Sequence, residues 1–206
     1  MDTVGSISRT VEDAAITLGA IAGHDPKDLY SSREPVLDYR QSLGGDLKGL
    51  RIGVFTEFME SDLVEPAVHQ RVSDSFATLG ELGATVEKVS IPLSISAGVA
   101  SAVLLAVVPA LVQQDWIKDR IEDYGHDVRN LLLTGSLIPA QAYYKTQQPR
   151  TMLRQQLLDS LEKYDVLVLP TSGKGAQPRE EDPPITSKES SSRLAFLFTR
   201  IFNLAS

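Results

Sequence analysis

Leu50-Arg51-Ile52-Gly53-Val54-Phe55 is the stretch that decides the fold class, and it reads as a short buried strand. Downstream, Pro66 sits where a helix can begin. Val68, Val72, Phe76, Leu79 and Leu82 then recur every three or four residues, which places them on one stripe of one helix. Gly83 suits the end of that helix. Ala84 to Ile91 is rich in β-branched residues and stops at Pro92. Strand, helix and strand within about 40 residues make a βαβ unit, which favours a parallel pair. The chain is therefore read as α/β, a sheet core flanked by helices.

Upstream of this unit, Thr10-Val11-Glu12-Asp13 has the form of a helix start with Thr10 as cap. Val11, Ala14, Ala15, Leu18, Ile21 and Ala22 follow helical spacing up to a stop at Gly23. His24 to Asp46 is polar, contains Pro26, Pro35 and Gly44-Gly45, and reads as a long surface connection. Downstream, the apolar run Ile95 to Val112 reads as a buried helix. Asp115 to Asn130 is polar and helical in parts. Pro139 to Lys163 forms another helical region with Leu153, Leu157, Leu158 and Leu161 on its apolar face. Pro149 lies inside that region, lacks an amide donor and predicts a break or kink. Val166-Leu167-Val168-Leu169 is a second buried strand, stopped by Pro170. Residues 172–192 are rich in Gly, Pro, Ser and charge and predict a mobile loop. Leu197, Phe198, Ile201 and Phe202 then predict a packed helix face.

The chain has 206 residues, 42% hydrophobic and 23% charged, which allows one domain with a real core. Cysteine is absent, which excludes disulfides, zinc–thiolate sites and a thiol nucleophile. A formal charge of −7 gives no overall pull toward nucleic acid or an anionic membrane. The opening residues have neither the basic region nor the apolar core of a signal peptide. The run ending at Val112 is interrupted by Ser96, Ser101 and Pro109 and lacks a basic flank on its N-terminal side. A cytoplasmic protein without a membrane span is expected.

Local catalytic signatures are missing. There is no G-x-S-x-G elbow and no H-E-x-x-H. Thr171-Ser172-Gly173-Lys174-Gly175 is only superficially like a phosphate loop, because Gly175 follows the lysine where Ser or Thr is required. The three histidines, His24, His69 and His126, are scattered and read as exposed residues rather than metal ligands or bases. The acidic cluster Glu180-Glu181-Asp182 reads as a solvated loop. No metal site and no cofactor are expected. Residue patterns alone stop at an α/β protein without a visible catalytic set.

Four landmarks in order go further. Asp2-Thr3-Val4-Gly5-Ser6-Ile7-Ser8-Arg9-Thr10-Val11-Glu12-Asp13-Ala14-Ala15 resembles the D-x-x-G-P-[IM]-[ST]-R-[ST]-V-x-D-A-A segment of the amidase signature family. Leu18-Gly19-Ala20-Ile21-Ala22-Gly23-His24-Asp25 resembles its L-x-x-I-x-G-x-D. Asp46-Leu47-Lys48-Gly49-Leu50-Arg51-Ile52-Gly53-Val54 is similar to its D-L-K-G-L-R-I-G-V strand. Tyr164-Asp165-Val166-Leu167-Val168-Leu169-Pro170-Thr171 is similar to its later D-V-L-L-x-P-T strand.

The resemblance implies a partial amidase-signature fold with a mixed sheet. It also implies a serine hydrolase of carboxamides that uses a Ser–Ser–Lys triad, an oxyanion hole of backbone amides and an acyl-enzyme. The family's triad segment precedes the Asp2 landmark. No G-G-S-S stretch occurs here, and none of the eight lysines stands in the catalytic context. No catalytic residue is therefore carried over. The family's G-L-P-A-x-x-V-P segment is absent too, so residues 1–206 are expected to be a single incomplete amidase-family domain, a middle-to-late piece. Asp2, Thr3 and Thr171 would approach the substrate side of the sheet, and each is also an ordinary turn or strand-end residue. Ser6 replaces the family's proline, and Ser172-Gly173 replaces a proline region.

Three functions follow. The first is a piece of an amidase whose full-length parent takes a small-molecule amide; the chain itself is then inactive, and a homo-oligomer is open to it. The second is the A subunit of the tRNA-dependent amidotransferase. That protein has Gln where Thr3 stands and Y-V-L-S-A-G-Y-Y where this chain reads Leu133-Thr134-Gly135-Ser136-Leu137-Ile138-Pro139-Ala140, which favours the first reading. The third is a non-catalytic structural or binding remnant.

Overall fold

The computed structural model describes residues 4–28, 31–176 and 197–205. They fall into two compact units, one over Asp2–Leu47 and the other over Lys48–Ser206.

In the larger unit, β1 (Arg51–Phe55) forms where the apolar run predicts it, and four of its five residues are buried. After a short helix, α2 (Thr56–Met59), the chain enters α3 (Pro66–Glu81) with proline at the first turn, where its missing amide has no partner to lose. Val68, Val72, Phe76 and Leu79 are half-buried as the stripe requires, whereas Leu82 is the C-cap and is 56% exposed. The chain reverses at Gly83, φ +100°, and runs into β2 (Thr85–Val89). β1 pairs in parallel with β2, Arg51 opposite Thr85 and Phe55 opposite Val89. β3 (Val166–Val168) pairs in parallel with the other edge of β1, Ile52 opposite Val166 and Val54 opposite Val168, and, contrary to the buried strand expected, Val166 is exposed and Leu167 and Val168 are half-buried. The order is β2-β1-β3, and all three described strands are parallel.

Helices α4 (Leu93–Val112), α5 (Gln114–Arg120), α6 (His126–Leu137), α7 (Ala140–Leu161) and α8 (Leu197–Ala205) complete this unit. By length and apolar composition α4 is able to cross a membrane, and here it packs against α6, α7 and α8. Its buried side changes part-way. Ala97, Ala100, Ser101 and Leu104 lie on one stripe, but the next buried residue, Ala106, is two positions on, about 200° round the helix. The first side belongs to the main core with Leu153, Leu157, Leu197, Phe198 and Ile201. The second side meets α6 at Gly135, where a Cβ would stand 1.9 Å from the Ala106 carbonyl oxygen.

Of the break or kink expected at Pro149, the break does not occur, and α7 is continuous across it. Thr146 on one side of the proline and Leu153 and Leu157 on the other are buried. Burial of two leucines contributes about 1.5–3 kcal/mol each, which matches or exceeds the roughly 3 kcal/mol that an interior proline costs. On the apolar face, Leu158 and Leu161 are 40% and 45% exposed and line a cavity of about 290 Å³ with Arg154, Leu157, Leu167, Phe202 and Ala205. The packed face expected of α8 forms with Leu197, Phe198 and Ile201 buried, while Phe202 is 40% exposed.

At the amino ends of the strands, Arg51 and Asp165 form a two-pronged pair. The Arg51 guanidinium donates to both carboxylate oxygens, at 2.8 and 3.2 Å, and the Arg51 amide donates to Oδ2 at 2.8 Å. The Asp165 amide donates back to the Arg51 carbonyl at 2.9 Å. These side-chain and main-chain bonds lower the Asp165 carboxyl from 3.8 to about 2. A carboxyl lowered by folding stabilises above its unfolded value and loses that contribution as pH falls through its folded value. We therefore expect the pair's contribution to be complete above pH 3.8 and to vanish toward pH 2. Melting temperature measured across that window should fall less steeply in Asp165→Asn than in the parent; parallel curves would refute the linkage.

In the smaller unit, α1 (Val11–Ile21) starts as its sequence predicts, with Thr10 Oγ1 accepting from the Asp13 amide at 3.1 Å. The connection that follows contains one 3-10 turn, Tyr39–Ser42, opened by Asp38, whose carboxylate accepts from the Arg40 amide and guanidinium. The Arg40 bonds hold the Asp38 carboxyl below its ordinary value.

Candidate functional site

The chain leaves the central strand β1 toward β2 on one side and returns through β3 on the other. In open parallel sheets ligands bind outside the carboxyl ends of the strands at such a reversal. Residues that reach this edge include Phe55 at the end of β1 with Thr56-Glu57 after it, Ser90 after β2, and Leu169 to Gly175 after β3.

Beneath them lies an aromatic floor. Phe55 and Phe58 are fully buried, with ring centroids 6.1 Å apart, and Phe58 stacks obliquely on Phe198 at 4.8 Å. Such pairs add to plain area burial and fix the rings relative to one another. The ends of β1 and β2 are tied above this floor. Thr56 Oγ1 donates to the Val89 carbonyl at 3.3 Å, and Ser90 Oγ donates to Glu57 Oε1 at 2.6 Å. Burial pushes the Glu57 carboxyl up, but the Ser90 hydroxyl and the Ile91 and Glu57 amides outweigh it, so the group stays ionised below its ordinary range.

On the β3 side, Pro170 is buried and Thr171 is exposed. Ser172 Oγ accepts from the Lys174 amide at 3.2 Å and donates to the Lys174 carbonyl at 3.0 Å, closing a small turn. Gly173 is buried, and its carbonyl accepts from the Glu65 amide at 2.8 Å. Glu65 Oε2 accepts from the Gly175 amide at 3.4 Å. The Leu63 carbonyl oxygen lies 2.0 Å from where a Gly173 Cβ would be.

Of the residues expected at the substrate side, Thr171 is placed at this carboxyl edge, while Asp2 and Thr3 lie outside the described residues. Of the expected loop over 172–192, residues 172–176 are described and the rest, with Glu180, Glu181 and Asp182, lie outside. His24, His69 and His126 are exposed, and His126 Nε2 meets the Asn130 amide at 2.9 Å. Among the described residues no group of three acidic or histidine side chains could hold a metal. Sequence reasoning missed Glu57, Glu65 and Gly173. A glutamate in the capping position before Pro66 was the one local signal for Glu65, since that position ordinarily carries a shorter acceptor.

The profile of the Amidase family matches residues 1–206. The chain belongs to the amidase signature family. Within it, the chain is 36% identical over 197 aligned positions to the A subunit of glutamyl-tRNA(Gln) amidotransferase from Listeria monocytogenes, an alignment covering 84% of this chain and 40% of that protein. The corresponding protein of Gloeobacter violaceus is 35% identical with the same coverage. The chain thus spans about 40% of the length of the curated relatives it matches. Among solved structures, the A subunit of the Thermotoga maritima glutamyl-tRNA(Gln) amidotransferase superposes with a TM-score of 0.73 at 28% identity, covering 98% of this chain and 43% of that one. A bacterial aryl acylamidase of the amidase signature enzymes superposes with a TM-score of 0.78 at 22% identity, covering 98% of this chain and 44% of that one, and shares the fold. The amidase-signature fold expected from the four landmarks is the one observed, with the three described strands all parallel rather than mixed.

Proposed function

We propose that the protein carrying these residues cleaves a carboxamide C–N bond through an acyl-serine intermediate, in the line of the amidotransferase A subunits. The observation that carries this is the family match across residues 1–206, joined to 36% identity with those subunits. In the proposed reaction a serine oxygen bonds to the amide carbonyl carbon and the C–N bond breaks. The leaving nitrogen takes a proton and departs as ammonia or an amine. Water then cleaves the ester, releasing a carboxylate and restoring the serine. The reading assigns the nucleophile and its lysine to segments other than these residues, which hold no Gly-Gly-Ser-Ser stretch. It gives the residues here the carboxyl edge of the sheet, with Thr171 bordering the amide, while Asp2 and Thr3 enter by the family resemblance alone. The relatives' designation as one subunit of an amidotransferase supports protein partners in this reading, and the charge of −7 gives these residues no overall pull of their own toward tRNA.

A second reading, a general amidase working without partners, is favoured by Thr3 and by the departures at Leu133–Ala140. Ammonia release by the full-length protein from glutamine and from benzamide, with and without co-expressed partner subunits, separates the two. Activity that requires the partners upholds the first reading, unaided activity upholds the second, and none in either condition refutes both in favour of a non-catalytic remnant. The 206 residues alone are expected to release no ammonia from either amide. Enzyme-dependent release by pure material would show that these residues hold a nucleophile the family reading does not give them.

A further inference from the structure

We propose that Glu65 is a positioning residue that clasps the turn after β3 and thereby fixes Thr171 at the substrate edge; this rests on the function proposed above.

Glu65 occupies the N-cap of α3, directly before Pro66. Side chains favoured at that position accept a hydrogen bond from the helix's own second or third amide. The Glu65 side chain makes no such bond. Its Oε2 instead accepts from the amide of Gly175, 110 residues away in the chain, while its own amide donates to the Gly173 carbonyl. One residue therefore holds the turn at two points. The strap that carries Glu65 is itself braced. Ser61 Oγ donates to the Phe58 carbonyl at 3.0 Å and accepts from the Leu63 amide at 3.4 Å, and Val64 is buried. Strap and turn are pressed together so closely that Leu63 leaves no room for a side chain at position 173. Thr171 stands between buried Pro170 and this clasped turn, so both its flanks are fixed while its side chain faces out.

The length of the glutamate is what the clasp needs. Aspartate is one methylene shorter, cannot reach Gly175, and is a better cap for α3. Glutamine keeps both the length and an acceptor oxygen. Stability and clasp can therefore be moved in opposite directions. In the full-length protein, Glu65→Asp should keep or raise the melting temperature. At the same time, amide hydrogen exchange over residues 173–175 should quicken about tenfold, the equivalent of one hydrogen bond. KM for the better of glutamine and benzamide should rise about five- to tenfold with kcat within about twofold, the signature of lost positioning in binding. Glu65→Gln should restore both readouts to within about twofold of the parent.

The proposal is overturned if Glu65→Asp leaves exchange and KM unchanged. It is equally overturned if Asp and Gln behave alike, or if melting temperature and kcat collapse together. Should the unsubstituted full-length protein cleave neither amide, the proposed function falls and exchange alone decides the clasp. Faster exchange in Asp but not in Gln then upholds it, and equal exchange overturns it.

Discussion

Gly135→Ala should lower the melting temperature by about 4–8 °C. A Cβ there would stand 1.9 Å from the Ala106 carbonyl oxygen, 2.5 Å from its carbon and 2.9 Å from Ala110 Cβ. Two of these three atoms belong to the backbone of α4, so no side-chain rotation relieves the overlap and the two helices must move apart. Overpacking of this kind costs about 1–3 kcal/mol and occasionally more, and backbone contact puts this site at the top of that range. Alanine also gains helix propensity over glycine, worth about 0.8–1 kcal/mol. The clash wins by about 2 kcal/mol, or 2–4 °C per kcal/mol for a chain of this size. Gly80→Ala in α3 is the matched control, because nothing lies within 4 Å of its Cβ and only the propensity gain remains. Thermal unfolding of the pair checks the argument. A Gly135→Ala protein as stable as its parent would mean that α4 and α6 do not cross this closely.

Gly173→Ala should damage activity more than stability. The added Cβ meets the Leu63 carbonyl oxygen at 2.0 Å and the Phe198 ring at 2.9 Å, so the strap that carries Glu65 has to lift. The Glu65 amide then loses its bond to Gly173, and the turn that follows Thr171 is displaced by about 1 Å or more. A displacement of that size at a substrate edge costs on the order of 100-fold in rate. We expect kcat/KM of the full-length protein to fall by about that factor, with a stability loss of about 1–3 kcal/mol. Gly175→Ala, two residues on and with nothing within 4 Å, should leave both within error. Activity of Gly173→Ala within about twofold of the parent would detach this turn from the substrate.

Much of the fold was legible because it rests on short-range chemistry. The stripe from Val68 to Leu79, proline at the first turn of α3, the Thr10 cap and the apolar run of β1 each report a local preference that appears where the sequence puts it, whereas β3 forms as a strand without being buried. The sequence failed where packing overrode such a preference. Pro149 should break a helix, but buried neighbours on both sides hold it in one. The candidate site was less legible still. Thr171 could be located at a strand end, because the apolar run before it and Pro170 mark where that strand stops. Gly173 and Glu65 could not, because their meaning lies in an approach between segments 110 residues apart. Likewise, Glu57 looks like any surface glutamate in a helix until Ser90 arrives from the end of β2.

The pairing of Arg51 with Asp165, 114 residues away, sets a timetable for the sheet. The β1–β2 pair closes a short loop through α3 and can form as soon as β2 itself has been made. The other edge of β1 stays open until β3 leaves the ribosome, after all of α4 to α7. At ordinary rates of synthesis that interval is on the order of ten seconds, long compared with the microseconds in which a hairpin forms. During it, an apolar strand with one bare edge is exposed to any strand that drifts past. The helices between β2 and β3 therefore do more than cover the sheet. Their length determines how long the nascent chain is open to mispairing, and an insertion there would lengthen that window even if the finished fold tolerated it.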